Sequence, residues 1–456
     1  MEFIENVDKN KYEKFASNHQ KAHFMQSYYW GEVMKEKNFI SHYVGIEENG
    51  ELIATALLLQ KKLLYGYSYF YCPRGYILDY NNLDLLKIFT NYIKKYAKKN
   101  KAIFVKIDPD IKLHDLDVDG NIIGNKNYKL IDYLKKLGYK NKGFNKSFVN
   151  EQPRFTFRLN IDKDFDEIYK NIHPTTRKIL NKKNQYNLNV YIGDESDLNC
   201  FYDTMKDTAI RENLKLTPLS YYTNFYKILN NHNMSDLYVV KVNINDLKET
   251  YKNKIENIKK EIISLSDSKY KNAEKRKNIE HVLNKQIEKL NKELNEMEHI
   301  KNKEITLSSI ITVKYKDTVW TIHGGNSTLL RELNSNYLLY YTIIKDAYDQ
   351  GYKKVDFFGT SGIANPDKND PIYGIHLFKK RFGGEYTEFI GEYDLIVNPL
   401  LYFSYKKLLP LYRKYKKNKK IWVTLSLFYY RKKMVTHLYK IKLLLFLLNQ
   451  LIHIYD

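Results

Sequence analysis

Cysteine is almost missing from this 456-residue chain: Cys72 and Cys200 are the whole set. Two thiols that far apart provide neither a disulfide framework nor a cysteine-based zinc site. The opening residues, MEFIENVDKNKYEK, mix acids with bases and lack an apolar core, which argues against a secretory signal. Long hydrophobic runs are missing too. The most apolar stretch, Leu443–Leu448 and on to about Ile454, carries Asn449, Gln450 and His453 and falls short of the ~20 residues of a spanning helix. No Cys/His nucleophile pair, metal-ligand cluster or P-loop stands out, so neither a metal nor a cofactor is expected.

Two further absences are local. Between Ile244 and Leu307 there is neither glycine nor proline. Between Leu395 and Tyr455 there is neither aspartate nor glutamate, while thirteen Lys or Arg are present. What the chain does hold is positive charge and tyrosine. Lys and Arg outnumber Asp and Glu by 75 to 53, for a formal charge of +22, and tyrosine occurs 42 times. Charge of this sign predicts an anionic partner: nucleic acid, an anionic lipid surface or a phosphate-bearing substrate. A hydrophobic content of 43% rules out wholesale disorder.

The hydrophobic pattern reads as mixed α/β (α+β). Residues 1–150 form a first unit, with helices near 9–18, 28–37 and 82–99 and a buried strand at 102–107 that Asp108-Pro109 stops. Asn145 to Pro153 reads as the passage to a second unit, 151–400. That unit opens on a strand at 154–160 and a helix over 164–183. It closes on a double glycine, Gly383-Gly384, and an alternating strand from Tyr386 to Ile396. A basic, aromatic and apolar tail spans 401–456. The similar grammar of the two units suggests a tandem duplication.

An insert at 245–303 interrupts the second unit. Leu247, Tyr251, Ile255, Ile258, Ile262 and Leu265 step by four and three, and so do Ile279, Leu283, Ile287, Leu290, Leu294 and Met297. These matched seams predict an antiparallel coiled-coil hairpin; the competing arrangement is an oligomerisation coiled coil.

Several segments, in order from about Phe24 to Leu401, resemble the Fem-type (FemABX) aminoacyltransferases of bacterial peptidoglycan. They are FMQSYYWGEVMKEK (24–37), YFYCPRGYILDY (69–80), AIFVKIDPDI (102–111), LGYKNKGFNKSF with QPRFTF (137–157), TTRKILNKK (175–183), GGNS (324–327), VDFFGTSG (355–362) and GIHLFKKRFGGEYTEFIGEYD (374–394). The resemblance implies two acetyltransferase-like (GNAT-like) subdomains with the hairpin projecting from the second. It also implies transfer of an amino acid (glycine, alanine or serine) from aminoacyl-tRNA to the stem-peptide lysine of lipid II, a lipid-linked peptidoglycan precursor. The chain would then be cytoplasmic and peripheral at the inner face of the membrane.

The resemblance also implies site residues. Asp108 is a candidate base or acceptor orienter, with a turn-stabilising carboxylate as the alternative. Lys379, after Phe378, is the candidate charge for the oxyanion or a phosphate. Lys35 is the candidate diphosphate ligand, although the family usually has lysine where Met34 stands. Arg211, in TAIREN, matches a family arginine that pairs with the acceptor phosphate, and His323 stands where relatives often have tyrosine. Arg177, Lys178, Lys182 and Lys183 share one helical segment and are candidate tRNA-phosphate contacts. Asp356 and Asp394 read as structural, with either open as the base.

Two other functions fit parts of the chain. An acyl-CoA N-acetyltransferase needs an Arg/Gln-x-x-Gly-x-Gly/Ala loop, and Arg381 to Tyr386 fails at its last position. A non-catalytic basic coiled-coil adaptor for RNA or anionic membrane suits the hairpin and tail but leaves the ordered α/β motifs unexplained.

Overall fold

The computed structural model describes residues 1–141, 143, 151–182, 185–266 and 273–408. Lys183, most of the passage from Asn145 and nearly all of the tail from 401 lie outside them. The first half runs β1 (Glu2–Ile4), α1 (Lys9–Asn18), α2 (Tyr28–Lys35), β2 (Ile40–Glu48), β3 (Glu51–Lys62), β4 (Ser68–Cys72), α3 (Leu83–Lys99), β5 (Ala102–Ile107), β6 (Lys112–Leu116), β7 (Ile122–Lys126), α4 (Tyr128–Lys136) and β8 (Tyr139–Asn141). Next come β9 (Phe155–Asn160), α5 (Phe165–Asn171), α6 (Pro174–Asn181), β10 (Asn189–Gly193), α7 (Leu198–Arg211), α8 (Leu219–Asn230) and β11 (Ser235–Asn243). The hairpin helices are α9 (Ile244–Ser266) and α10 (Ala273–Glu298). The rest is β12 (Glu304–Tyr315), β13 (Thr318–Asn326), α11 (Ser335–Asp349), β14 (Lys354–Gly359), α12 (Tyr373–Lys380), β15 (Glu385–Phe389), β16 (Tyr393–Ile396) and α13 (Pro399–Phe403).

The strands form two sheets. One has the order β1-β2-β3-β4-β5-β16-β8, the other β10-β11-β12-β13-β14-β9-β15-β6-β7. Neighbours are antiparallel except for one parallel pair in each sheet, β4 with β5 and β13 with β14. A parallel neighbour needs a crossover, and here α3 and α11 supply it. The shared arrangement, three antiparallel strands and then a helical crossover to a parallel fourth, is the acetyltransferase-like order expected of both halves.

The sheets also exchange strands. β6 and β7, from the first half of the chain, extend the second sheet, while β16 returns to lie between β5 and β8 of the first. The continuous strand expected over Tyr386–Ile396 is therefore two strands in different sheets. Gly391 at φ 90 turns the chain where most side chains would be strained. The helix expected over 164–183 is likewise two. Ile172 and His173 are extended, as a residue before proline prefers, and Pro174 starts α6 afresh.

The cores explain the layers. Trp30, Phe24, Phe225 and Trp320 belong to one buried cluster that joins α1, α2 and β3 to α7, α8 and β11–β13, so the two sheets share a middle layer. The hairpin helices pack on each other, and all twelve seam residues are buried or half-buried while their neighbours are mostly exposed. Tyr251 and Met297 anchor its base on Leu330 and Leu333. Among the described residues no helix is long and apolar enough to cross a membrane.

Candidate active site

Each parallel pair ends in chemistry. At the end of β5, Asp108 is 5% exposed and both of its oxygens are engaged. One accepts from the Tyr71 hydroxyl at 2.9 Å and the other from the Arg74 backbone N–H at 2.6 Å. Arg74 has φ 58, uncommon for any residue but glycine, and the carboxylate holds that turn in place. Gly75 allows the turn to press on the strand end: a Cβ there would meet the Pro109 Cα at 3.0 Å. Burial pushes the Asp108 carboxyl up to about 7, with nearby Arg74 opposing and Glu392 adding to the rise. A carboxylate tuned this way can take up a proton near neutrality.

At the end of β14, Phe358 also has positive φ, 59, and a bulge shifts the register between Asp356 and Gly359. The bulge turns two carbonyls toward α12. Lys379, in the last turn of that helix, donates to Gly359 O at 2.6 Å and sits 3.4 Å from Phe358 O. Burial lowers the Lys379 ammonium to about 8, with Asp356 opposing. Neighbouring Lys380 instead pairs with Asp119 at the surface. The double glycine explains how α12 is fixed. Gly383 has φ 81, and a Cβ on it would lie 2.6 Å from Asn171 O; one on Gly384 would lie 3.0 Å from Arg158 O.

A chain of ion pairs links the segment after Asp108 to β14, the strand whose end Lys379 meets. Pro109 leads from Asp108 to Asp110, which accepts from two Arg158 nitrogens at 2.9 and 2.5 Å. Arg158 Nε reaches Asp356 at 2.8 Å. Asp356 in turn accepts from the Thr156 hydroxyl at 2.6 Å and from the Phe358 N–H at 2.8 Å. Burial alone would raise Asp110; the Arg158 guanidinium instead holds it well below the usual carboxylate range. Phe389 fills the remaining space, with the guanidinium carbons of Arg74 and Arg158 at 4.8 and 4.7 Å from its ring centre. Sequence reasoning singled out Asp108 and Lys379 but missed Asp110 and Arg158, whose pairing crosses between distant segments.

A second group of candidates lines β13. Arg211 ends α7, bonding Glu212 at 2.9 Å and Asn326 O at 3.3 Å. Gly325 permits the contact, since a Cβ there would clash with Thr204 backbone at 2.5 Å. His323 packs edge-on against Tyr221, Tyr222 and Phe225, and its Nε2 has no hydrogen-bond partner. Burial, with the charge of Lys37 adding, pushes it down to about 3, so it is a neutral ring at physiological pH.

Lys35 is not part of this wall. Its ammonium is exposed and bonds Glu32 on its own helix at 2.7 Å, while Met34 is buried in the middle core. Lys37 is the cation that arrives there, 4.3 Å from the Tyr221 ring centre. The helix explains Lys35: one residue past buried Met34 is a rotation of ~100°, which carries Lys35 off the buried face.

The basic segment is split by its surroundings. Lys178 and Lys182 are exposed, Arg177 is half-buried with its Nε unpartnered, and Lys183 lies outside the described residues. The N-terminus of α6 is tied to the end of α12, because the His173 N–H donates to Arg381 O at 2.9 Å. The C-terminus approaches the hairpin: burial lowers Lys254 of α9, and the Lys182 charge adds to that. Lys254 itself lies 3.8 Å from the Tyr186 ring centre. Two open cavities of about 570 and 270 Å³ flank β15 and share Lys112, Gly383 and Glu385; neither is lined by Asp108 or Lys379. The smaller one also has Arg158, Lys163 and Lys354 on its wall.

Comparison with known proteins matches this geometry to one family. The FemAB family pattern spans residues 7–409. The lipid II:glycine glycyltransferase of Staphylococcus epidermidis is 27% identical over 410 residues, 89% of this chain and 95% of that protein. The Staphylococcus aureus protein of the same name is 27% identical over 405 residues, 87% and 93% of the two chains. Among solved structures, the crystal structure of FemX superposes with a TM-score of 0.70 at 27% identity, covering 88% of this chain and 99% of that one. Matched from Val7 into its basic tail, with two acetyltransferase-like halves and a helical arm, this chain belongs to the FemAB family.

Proposed function

We propose that this chain is a transferase of peptidoglycan-bridge synthesis. It moves an amino acid from aminoacyl-tRNA to the stem-peptide lysine amine of lipid II. Relatives named lipid II:glycine glycyltransferase favour glycine over alanine or serine as the residue moved. The acceptor nitrogen attacks the ester carbonyl carbon, and a C–N bond forms as the C–O bond to the tRNA ribose breaks. The neutral amine gives up a proton to Asp108 as it attacks, and the same proton passes to the ribose oxygen as it leaves. Lys379 offsets negative charge on the carbonyl oxygen as the tetrahedral intermediate forms. Lys37 and Arg211 hold the acceptor diphosphate, with His323 as an aromatic wall beside them. Arg177, Lys178 and Lys182 contact the tRNA backbone.

The observation that carries this reading is the matched placement of Asp108 and Lys379. Each sits at the matching end of a parallel strand pair, each is desolvated toward neutrality, and the Asp110–Arg158–Asp356 ion pairs link the segment after Asp108 to the strand Lys379 meets. A basic adaptor would have no use for that arrangement. The test is transfer of labelled amino acid from charged tRNA to lipid II by the purified chain. Glycyl-tRNA is expected to serve as donor; no transfer with glycyl-, alanyl- or seryl-tRNA would sink the proposal.

A further inference from the structure

The short helix α13 buries one side and leaves the other bare. Tyr402 packs with Ile103 and Phe104 of β5, and its hydroxyl donates to buried Asp394 at 2.8 Å. Lys406 adds a salt bridge to the same carboxylate at 3.2 Å. Leu400 and Phe403, three residues apart on the opposite side, are 75% and 58% exposed. The β3–β4 turn lies next to this helix, since Tyr69 of β4 stacks on Phe104 and approaches the Tyr405 ring at 6.1 Å. That turn exposes two more aromatics, Tyr65 at 59% and Tyr67 at 38%. Lys62 and Lys407, both exposed, flank the patch, and the backbone of exposed Lys101 bonds the strand beside Tyr67.

We propose that this face docks on an anionic lipid bilayer, with the side chains of Leu400, Phe403, Tyr65 and Tyr67 entering the headgroup region. The inference rests on the transferase reading, because a lipid-linked acceptor places the reaction at a membrane. Apolar and aromatic side chains ringed by lysine fit the interface between headgroups and acyl chains. Charge selects the occupant. Residues 409–456, which follow directly, hold eleven Lys or Arg and a single acid, Asp456. The lysines that flank the patch and those of 409–456 carry the same sign, and an anionic leaflet attracts both.

The test is sedimentation of the full chain with vesicles of phosphatidylglycerol and phosphatidylcholine, against vesicles of phosphatidylcholine alone. Wild type is expected to sediment with the anionic vesicles only, and Leu400→Ser/Phe403→Ser to weaken that partition about tenfold. A second reading uses Phe403→Trp: its emission is expected to shift to the blue on anionic vesicles. Undiminished binding of the double variant, or an unshifted tryptophan, overturns the proposal; so does equal binding to both vesicle types. Transfer to a water-soluble, lipid-free acceptor is expected to be unchanged in the double variant. If wild type transfers to neither that acceptor nor lipid II, the transferase reading falls and the docking surface does not.

Discussion

The ammonium of Lys379 lies 2.6 Å from the carbonyl oxygen of Gly359, at the end of the strand that matches the one carrying Asp108. Such a contact holds the charge in a dry position before substrate arrives. Lys379→Met is therefore expected to lower turnover by at least about 10²-fold, the scale of losing a transition-state charge contact. Its circular dichroism should match wild type. Full turnover in this variant would remove Lys379 from the reaction.

The pH profile should be narrow. Asp108, raised to about 7, must be ionised to take a proton, while Lys379, lowered to about 8, must stay charged. Turnover per bound substrate is expected to rise through about pH 7 and fall through about pH 8. Lys379→Arg should carry the falling limb upward by more than a unit, because guanidinium does not deprotonate in this range. A falling limb that stays put would assign it to another group.

Asp108 also links function to stability. Its folded-state pKa is above the ordinary 3.8, so between about pH 4 and 7 the folded chain binds the proton more tightly than the unfolded one. Stability from this group is thus present at low pH and lost as pH rises through 7, by up to about 4 kcal/mol. Asp108→Asn should have a higher melting temperature than wild type at pH 8, and a smaller advantage or none at pH 4, while losing transfer activity. An unchanged difference between the two pH values would contradict the assignment.

Arg158 serves two carboxylates at once. Arg158→Met leaves Asp110 and Asp356 without their shared cation, and a loss of about 3–5 kcal/mol is expected by chemical denaturation. Adding Asp110→Asn should recover part of that loss. If the single variant is as stable as wild type, the path is not a structural link.

Lys37 and Lys35 offer a direct comparison. Lys37→Ala is expected to raise the KM for lipid II about tenfold, while Lys35→Ala should change it less than about twofold, as an exposed ion pair would. The reverse order would return the diphosphate role to Lys35.

Local features of this chain were readable in advance. Asp108-Pro109 marks a strand end because proline has no N–H to continue the ladder. The double glycine marks a helix stop, and the two four-three seams mark the hairpin, because each depends on neighbours in sequence. The ionic path was not readable: Arg158 meets Asp110 across 48 residues and Asp356 across 198. Nothing local distinguishes those charges from the many solvated ones. The exposure of Lys35 follows from the one-residue slip past Met34: ~100° of helix rotation puts Met34 in the core and Lys35 at the surface.

The placement of β16 between β5 and β8 has a consequence for how the protein is made. The first sheet lacks an inner member until residue 396 has left the ribosome, about 290 residues after β5. An isolated N-terminal half would present two raw strand edges to its surroundings and is expected to associate with itself. The two halves mature as one unit, late in translation, and splitting the gene between them should give insoluble pieces rather than two working domains.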